Sequence, residues 1–348
     1  MKMTAKPYPL LSLVLLFLLS GTFTSQLAAQ DMSVLVGTGS SVPDSLINAW
    51  AQEYANSHPK VKITYLTKGT VNGMQLLADG SGDFSAGEIP MAVLMTGKTS
   101  KVKLFSVPIM LAGIVPIYNL PAIKQPLVFS GEALAHIFLG MITKWNDPML
   151  VKLNPNITLP DMKISVVTRT AGKGSNYILS EYLSKTDEEF RAKFGTTSSP
   201  KWTVGATAER SSDMADKVHA TPGSLGFVEL DYATKAGLSY GNMINAAGKS
   251  VKANAESLQA AFHASEKSMK EDFRVSLTNA SGADSWPITS FSWIYLPESL
   301  SSPQKTKAMS DFLNWSATSG QSVLIKAGNT PLPAEVLKAV EEKAKTMK

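Results

Sequence analysis

Three short stretches carry residue types that hold an anion through backbone amides and hydroxyls. They are Gly37-Thr38-Gly39-Ser40-Ser41-Val42-Pro43, Lys68-Gly69-Thr70-Val71-Asn72-Gly73 and Arg169-Thr170-Ala171-Gly172-Lys173-Gly174-Ser175. Each follows a predicted strand and opens a predicted helix. The first turn of a helix presents unpaired N–H groups and partial positive charge, so it is a ready seat for an anion. A single Gly/Ser loop of this kind is more often a plain turn. Three of them at strand-to-helix junctions, with an arginine in one, suit a dehydrated oxyanion. Arg169 contributes a planar fork that matches phosphate or carboxylate oxygens.

Glu88, in Ala86-Gly87-Glu88-Ile89-Pro90, ends another predicted strand. A carboxylate beside an anion is repulsive unless the anion carries a proton that the carboxylate can accept. The same group would then reject a fully deprotonated tetrahedral anion such as sulfate. By composition alone, a Glu in such a place is more often exposed or paired. Gly172-Lys173-Gly174-Ser175 lacks the Lys-Ser/Thr pair and the glycine spacing of a nucleotide-binding P-loop, which is therefore excluded. There is no G-x-S-x-G elbow. His58, His136, His219 and His263 are far apart and have no metal-ligand spacing. Catalytic residues, metal ligands and cofactors are accordingly all expected to be none.

The elements that must position these groups alternate. Met32–Val36 reads as a buried strand. Pro43, Leu46, Ile47, Trp50, Ala51 and Tyr54 then lie on one helical face, and Val61–Leu66 reads as a strand. Strand, Gly loop, helix, strand argues for a parallel sheet with right-handed crossovers. The pattern continues with a short helix over Gly73–Ala78 and separate strands at Asp83–Ala86, Val102–Val107 and Ile114–Tyr118. A helix at Ala133–Leu139 and a strand at Lys163–Thr168 come next, the latter leading into the arginine loop and a helix from Ser175. Further strands are expected at Leu225–Leu230 and Phe291–Leu296, and helices over Pro303–Trp315 and Glu335–Lys348. Aromatic positions are assigned to packing.

The bulk properties fit this α/β reading. At 348 residues there is room for two domains, and 44% hydrophobic with 18% charged residues is ordinary for a globular protein. The net charge of +5 is only mildly basic, and no Lys/Arg run with interleaved aromatics points to nucleic acid. Residues 1–29 read as a cleaved signal peptide: Lys2 and Lys6 precede the apolar run Leu10–Leu19, and Leu27-Ala28-Ala29 is a cleavage site. The chain has no cysteine, which excludes disulfides, a thiolate nucleophile and a Cys lipid anchor. A periplasmic protein without a lipid anchor is the expectation.

Several stretches, taken in order, resemble the phosphate-binding component of the bacterial phosphate ABC transporter. They are Gly39-Ser40-Ser41-Val42-Pro43, Asn119-Leu120-Pro121-Ala122-Ile123-Lys124, Ile137 through Pro148 (IFLGMITKWNDP), Thr221 through Glu229 (TPGSLGFVE), Ser285-Trp286-Pro287-Ile288 and Pro331-Leu332-Pro333. The resemblance implies a type II, two-lobe periplasmic-binding-protein fold, each lobe a mostly parallel sheet flanked by helices, with two hinge crossings near 112–115 and 287–290. Lobe one would be 30–112 plus 289–348, and lobe two 113–288. It implies a monomeric, non-enzymatic receptor that captures inorganic phosphate and delivers it to the permease and ATPase subunits of an importer at the inner membrane. Carried over position by position, the ligand-binding residues are Ser41 and Val42 of the first loop, Thr70 of the second, Glu88 as proton acceptor, and Arg169, Lys173, Gly174 and Ser175.

The chain departs from the family pattern at three of these places. The Asp that usually holds the arginine is Ala171, the usual loop Ser is Lys173, and the usual cleft Asp is Glu88. The family's Gly/Asn-rich loop is here Glu209-Arg210-Ser211-Ser212-Asp213. Counting Arg169 and Lys173 against Glu88 gives a site of about +1 by formal charge. Two readings follow. In one, Lys173 substitutes charge for hydrogen bonding and phosphate remains the ligand. In the other, Lys173 pairs with Glu88 and the ligand is a different oxyanion or a phosphorylated small molecule. The surviving hydroxyls and Arg169 favour the first.

Overall fold

The computed structural model describes residues 32–269 and 273–347. The expected signal peptide, residues 1–29, lies outside the described residues. The strands are β1 (Ser33–Gly39), β2 (Val61–Thr67), β3 (Phe84–Gly87), β4 (Leu104–Tyr118), β5 (Val128–Phe129), β6 (Ser165–Arg169), β7 (Ala206–Ala208), β8 (Ser224–Glu229), β9 (Asn242–Ile244), β10 (Ser250–Val251) and β11 (Thr289–Pro297). Among the described residues, eight form one sheet in the order β2-β1-β3-β11-β4-β8-β6-β7, and β10-β9-β5 form a second. At one end of the large sheet β1 runs parallel to β2 and β3. At the other, β6 runs parallel to β7 and β8. Between these ends β11 and β4 are antiparallel to their neighbours.

β4 joins the two halves of the sheet. It pairs with β11 from Leu104 to Gly113 and with β8 from Ile114 to Tyr118. The separate strands expected at Val102–Val107 and Ile114–Tyr118 are thus one strand. Proline cannot donate to a ladder, yet Pro108 and Pro116 both lie within it. The sheet accommodates Pro108 at an irregularity, where the register against β11 shifts between Ser292 and Trp293. The second chain crossing is tied to the first: Ile114 N donates to Ile288 O at 2.9 Å, and Trp286 Nε1 donates to Ile114 O at 3.0 Å.

The helix expected at Gly73 begins at Thr70 and runs Thr70–Ala78. Asn72 and Gly73 are weak helix formers, and tertiary packing overrides them. A Cβ at Gly73 would lie 2.6 Å from Gly39 Cα, so a glycine there lets the second loop pack directly against the first. The remaining expected elements differ from the structure mainly at their ends. Helices Asp44–Ser57, Gly131–Leu139, Gly174–Thr186, Pro303–Ala317 and Ala334–Ala344 flank the sheets. The core is rich in large aromatics, and two of its tryptophans have their polar atoms satisfied. Trp50 and Trp145 are fully buried and donate their indole N–H groups to the carbonyls of Gly320 and Gly223 at 2.8 and 2.9 Å.

Candidate functional site

Each of the three loops sits between a strand and a helix. The first joins β1 to Asp44–Ser57, the second β2 to Thr70–Ala78, and the third β6 to Gly174–Thr186. All three therefore lie at carboxyl ends of parallel strands, where α/β sheets gather ligands. The loops also meet. Arg169 Nη2 donates to Ser41 Oγ at 3.2 Å, and Val71 N donates to Gly172 O at 3.3 Å. A Cβ on Gly174 would lie 1.9 Å from Glu88 Oε2 and 2.9 Å from Thr70 Oγ1. Ser41, Thr70 and Glu88 thus face Arg169 and Gly174. The Oγ of Ser175 and the Nε of Arg169 are buried with no hydrogen-bond partner among the described residues. Val42 N, expected at the ligand from the sequence, donates at 3.2 Å to Ser40 Oγ.

Glu88 is completely buried. Ser40 Oγ and Thr70 Oγ1 donate to its Oε2 at 2.8 and 3.4 Å, and Ser292 Oγ donates to its Oε1 at 3.1 Å. Burial disfavours the charged form. The three hydroxyls oppose that effect, while the nearby Glu229 adds to it, and the carboxyl is pushed up to about 7. Arg169 and Glu88 attract each other electrostatically, yet burial still lowers the guanidinium below its ordinary value. Glu88 is therefore poised between acceptor and donor near neutrality.

Arg169 is 2% exposed. Its other bonds run to Ser211 Oγ at 3.2 Å and to the Glu209 carbonyl at 3.4 Å. Ser41 and Ser211 hydroxyls lie 3.3 Å apart. Lys173 does not pair with Glu88. Its Nζ pairs with Glu209 Oε1, and Glu209 Oε2 accepts from Thr170 Oγ1 at 2.6 Å. The partial burial of Glu209 favours the neutral acid, but these bonds prevail and hold its carboxyl below the ordinary range. The formal charge of about +1 drawn from Arg169, Lys173 and Glu88 is thereby corrected, because Glu209 is a fourth charge and brings these four groups to zero by formal count, with buried Glu229 acting on Arg169 and Glu88 from outside the four.

Reasoning from sequence missed four contributors. Ser40 and Ser211 stood inside loops already singled out, one residue from Ser41 and two from Glu209. Glu209 was visible as a departure in its loop, but its distance in sequence from Lys173 hid the pairing. Ser292 carried a faint signal, a small hydroxyl residue within the buried run of β11. The histidines stay apart from this cluster. The fold does bring exposed His263, Glu266 and Glu335 together, with ligand atoms within 4.8 Å of one another, a grouping that sequence spacing could not reveal.

A family model described as the PBP superfamily domain matches residues 24–319. The phosphate-binding protein PstS of Xylella fastidiosa (strain Temecula1) is 35% identical over 316 residues, covering 90% of this chain and 86% of the relative. That of Pasteurella multocida is 35% identical over 334 residues, covering 96% of this chain and 95% of the relative. Among solved structures, a high-affinity periplasmic phosphate-binding protein (PfluDING) bound with phosphate aligns with a TM-score of 0.68 at 15% identity, over 89% of this chain and 93% of that one. A putative phosphate ABC transporter substrate-binding protein with bound phosphate from Clostridium perfringens aligns with a TM-score of 0.61 at 18% identity, over 86% of this chain and all of that one (100%). These alignments establish the two-lobe α/β periplasmic-binding-protein fold.

Proposed function

This chain belongs to the PstS family of phosphate-binding proteins, and on that premise we propose that it captures inorganic phosphate between its sheet halves and delivers it to an ABC importer. The observation that carries the reading is the meeting of Ser41 with Arg169 beside a buried Glu88 whose carboxyl is hydrogen-bonded by hydroxyls. Arg169 would grip the anion. Ser41, Thr70 and Ser175 would donate hydroxyls, and the amides of Gly174 and its neighbours at a helix start would fill the remaining oxygens. Glu88 would accept the proton that phosphate carries and sulfate lacks. Lys173, held by Glu209, would act on the ligand at most through its charge. The alternative ligand, another oxyanion or a phosphorylated small molecule, loses its motivation because the Lys173–Glu88 pair does not form.

The lobes would be residues 30–112 with 289–348, and residues 113–288, turning about the crossings at Gly113/Ile114 and 287–290. Closure would bring Ser41 and Thr70 onto Arg169 and Gly174, and the closed form would be read by permease and ATPase subunits at the inner membrane. The protein would act in the periplasm as a non-enzymatic monomer. No helix among the described residues is long and apolar enough to cross a membrane. Titration of the phosphate-stripped protein with phosphate, in the parent and in Arg169→Met, tests the reading. A loss of at least about a hundredfold in the variant is expected for a buried charge-assisted grip. Unchanged affinity would refute the site.

A further inference from the structure

The mouth of the cleft carries a charge pair that phosphate capture does not by itself require. Lys173 has only 9% of its side chain exposed, whereas Glu209 has 60%. Lys173 is covered from the opposite side by the second loop: a Cβ on Gly69 would lie 3.4 Å from its Nζ and 3.6 Å from its Cδ. An ammonium covered in this way is costly unless paired. Glu209 supplies the pairing, and it is held in place by Thr170 Oγ1 through its second oxygen and by Arg169 through its carbonyl.

Resting on the phosphate-receptor reading, we propose that Glu209 sets the charge of the anion site: by neutralising Lys173 it leaves the bound anion to be read by Arg169, the hydroxyls and Glu88 rather than by bulk positive charge. This division matters for selectivity. Positive charge attracts every dianion alike and is screened by salt. A buried acceptor such as Glu88 distinguishes anions by whether they carry a proton. Lys173 without Glu209 would shift the balance from the second kind of recognition toward the first.

Glu209→Gln removes the charge while keeping a side-chain oxygen for Thr170. It is expected to raise affinity for both phosphate and sulfate by about three- to tenfold at low salt, with a steeper fall as salt is added. Lys173→Ser combined with Glu209→Gln restores the formal charge and is expected to return the salt dependence to that of the parent. Thr170→Val, which loses the brace but no charge, should leave the salt dependence unchanged. An unaltered salt dependence in Glu209→Gln, or a double variant that behaves like Glu209→Gln alone, would overturn the inference while leaving phosphate binding by the parent intact. Failure of the parent protein to bind phosphate would overturn both this inference and the reading beneath it.

Discussion

At the scale of single residues, Glu88 concentrates the chemistry. Its carboxyl rises from an ordinary value of 4.5 to about 7 because it is fully buried among hydroxyls. Between those two values the folded protein therefore holds a proton that the unfolded chain has released. Stability of the unliganded protein should fall as pH rises through this window, by on the order of 3 kcal/mol in total, with the full penalty present above about 7. Urea melts of the parent and Glu88→Gln across the window measure it; parallel curves would contradict the shift. The same titration predicts weaker rejection of sulfate below about pH 7, where protonated Glu88 turns from acceptor into donor. Competition of sulfate against phosphate at acidic and alkaline pH reads this directly. Arg169 and Glu88 were legible in the sequence because each ends a strand beside glycines. Glu209 and Ser292 were not, because their partners lie 36 and 204 residues away in the chain.

At the scale of elements, glycines decide how closely the loops approach. Gly174→Ala would place a methyl 1.9 Å from Glu88 Oε2. It should expel the carboxylate from its hydroxyls and weaken phosphate binding by more than about tenfold, at a stability cost of about 1–3 kcal/mol. Gly73→Ala should cost a similar amount of stability through its clash with the backbone of Gly39. Calorimetric titration and urea melts of the two variants separate the effects, and a Gly174→Ala protein with parental affinity would argue against the proposed placement of Glu88. The strand–loop–helix alternation was readable from apolar periodicity, since period two and period 3.6 segments are long and clearly bounded. The continuity of β4 was not. β11 pairs with its first part and β8 with its second, and nothing local could show that two different partners would continue one strand.

At the scale of the molecule, the proposed lobes would be joined by β4 and by the return crossing at 287–290. Such an arrangement would let the lobes turn about β4, where its pairing passes from β11 to β8. Phosphate should therefore compact the protein, and small-angle scattering of the stripped and saturated forms should show a smaller radius of gyration with ligand; identical profiles would argue against closure. Family membership and overall architecture were legible from blocks such as Ile137–Pro148, whereas the neutral charge balance emerged only when the fold brought Glu209 to Lys173. The most direct test is isothermal titration of the phosphate-stripped protein with phosphate and then sulfate, at a pH above about 7, where buried Glu88 has lost its proton. Tight phosphate binding with no sulfate heat is the predicted result. Equal binding of both anions, or of neither, would contradict a phosphate receptor that selects by a buried proton acceptor.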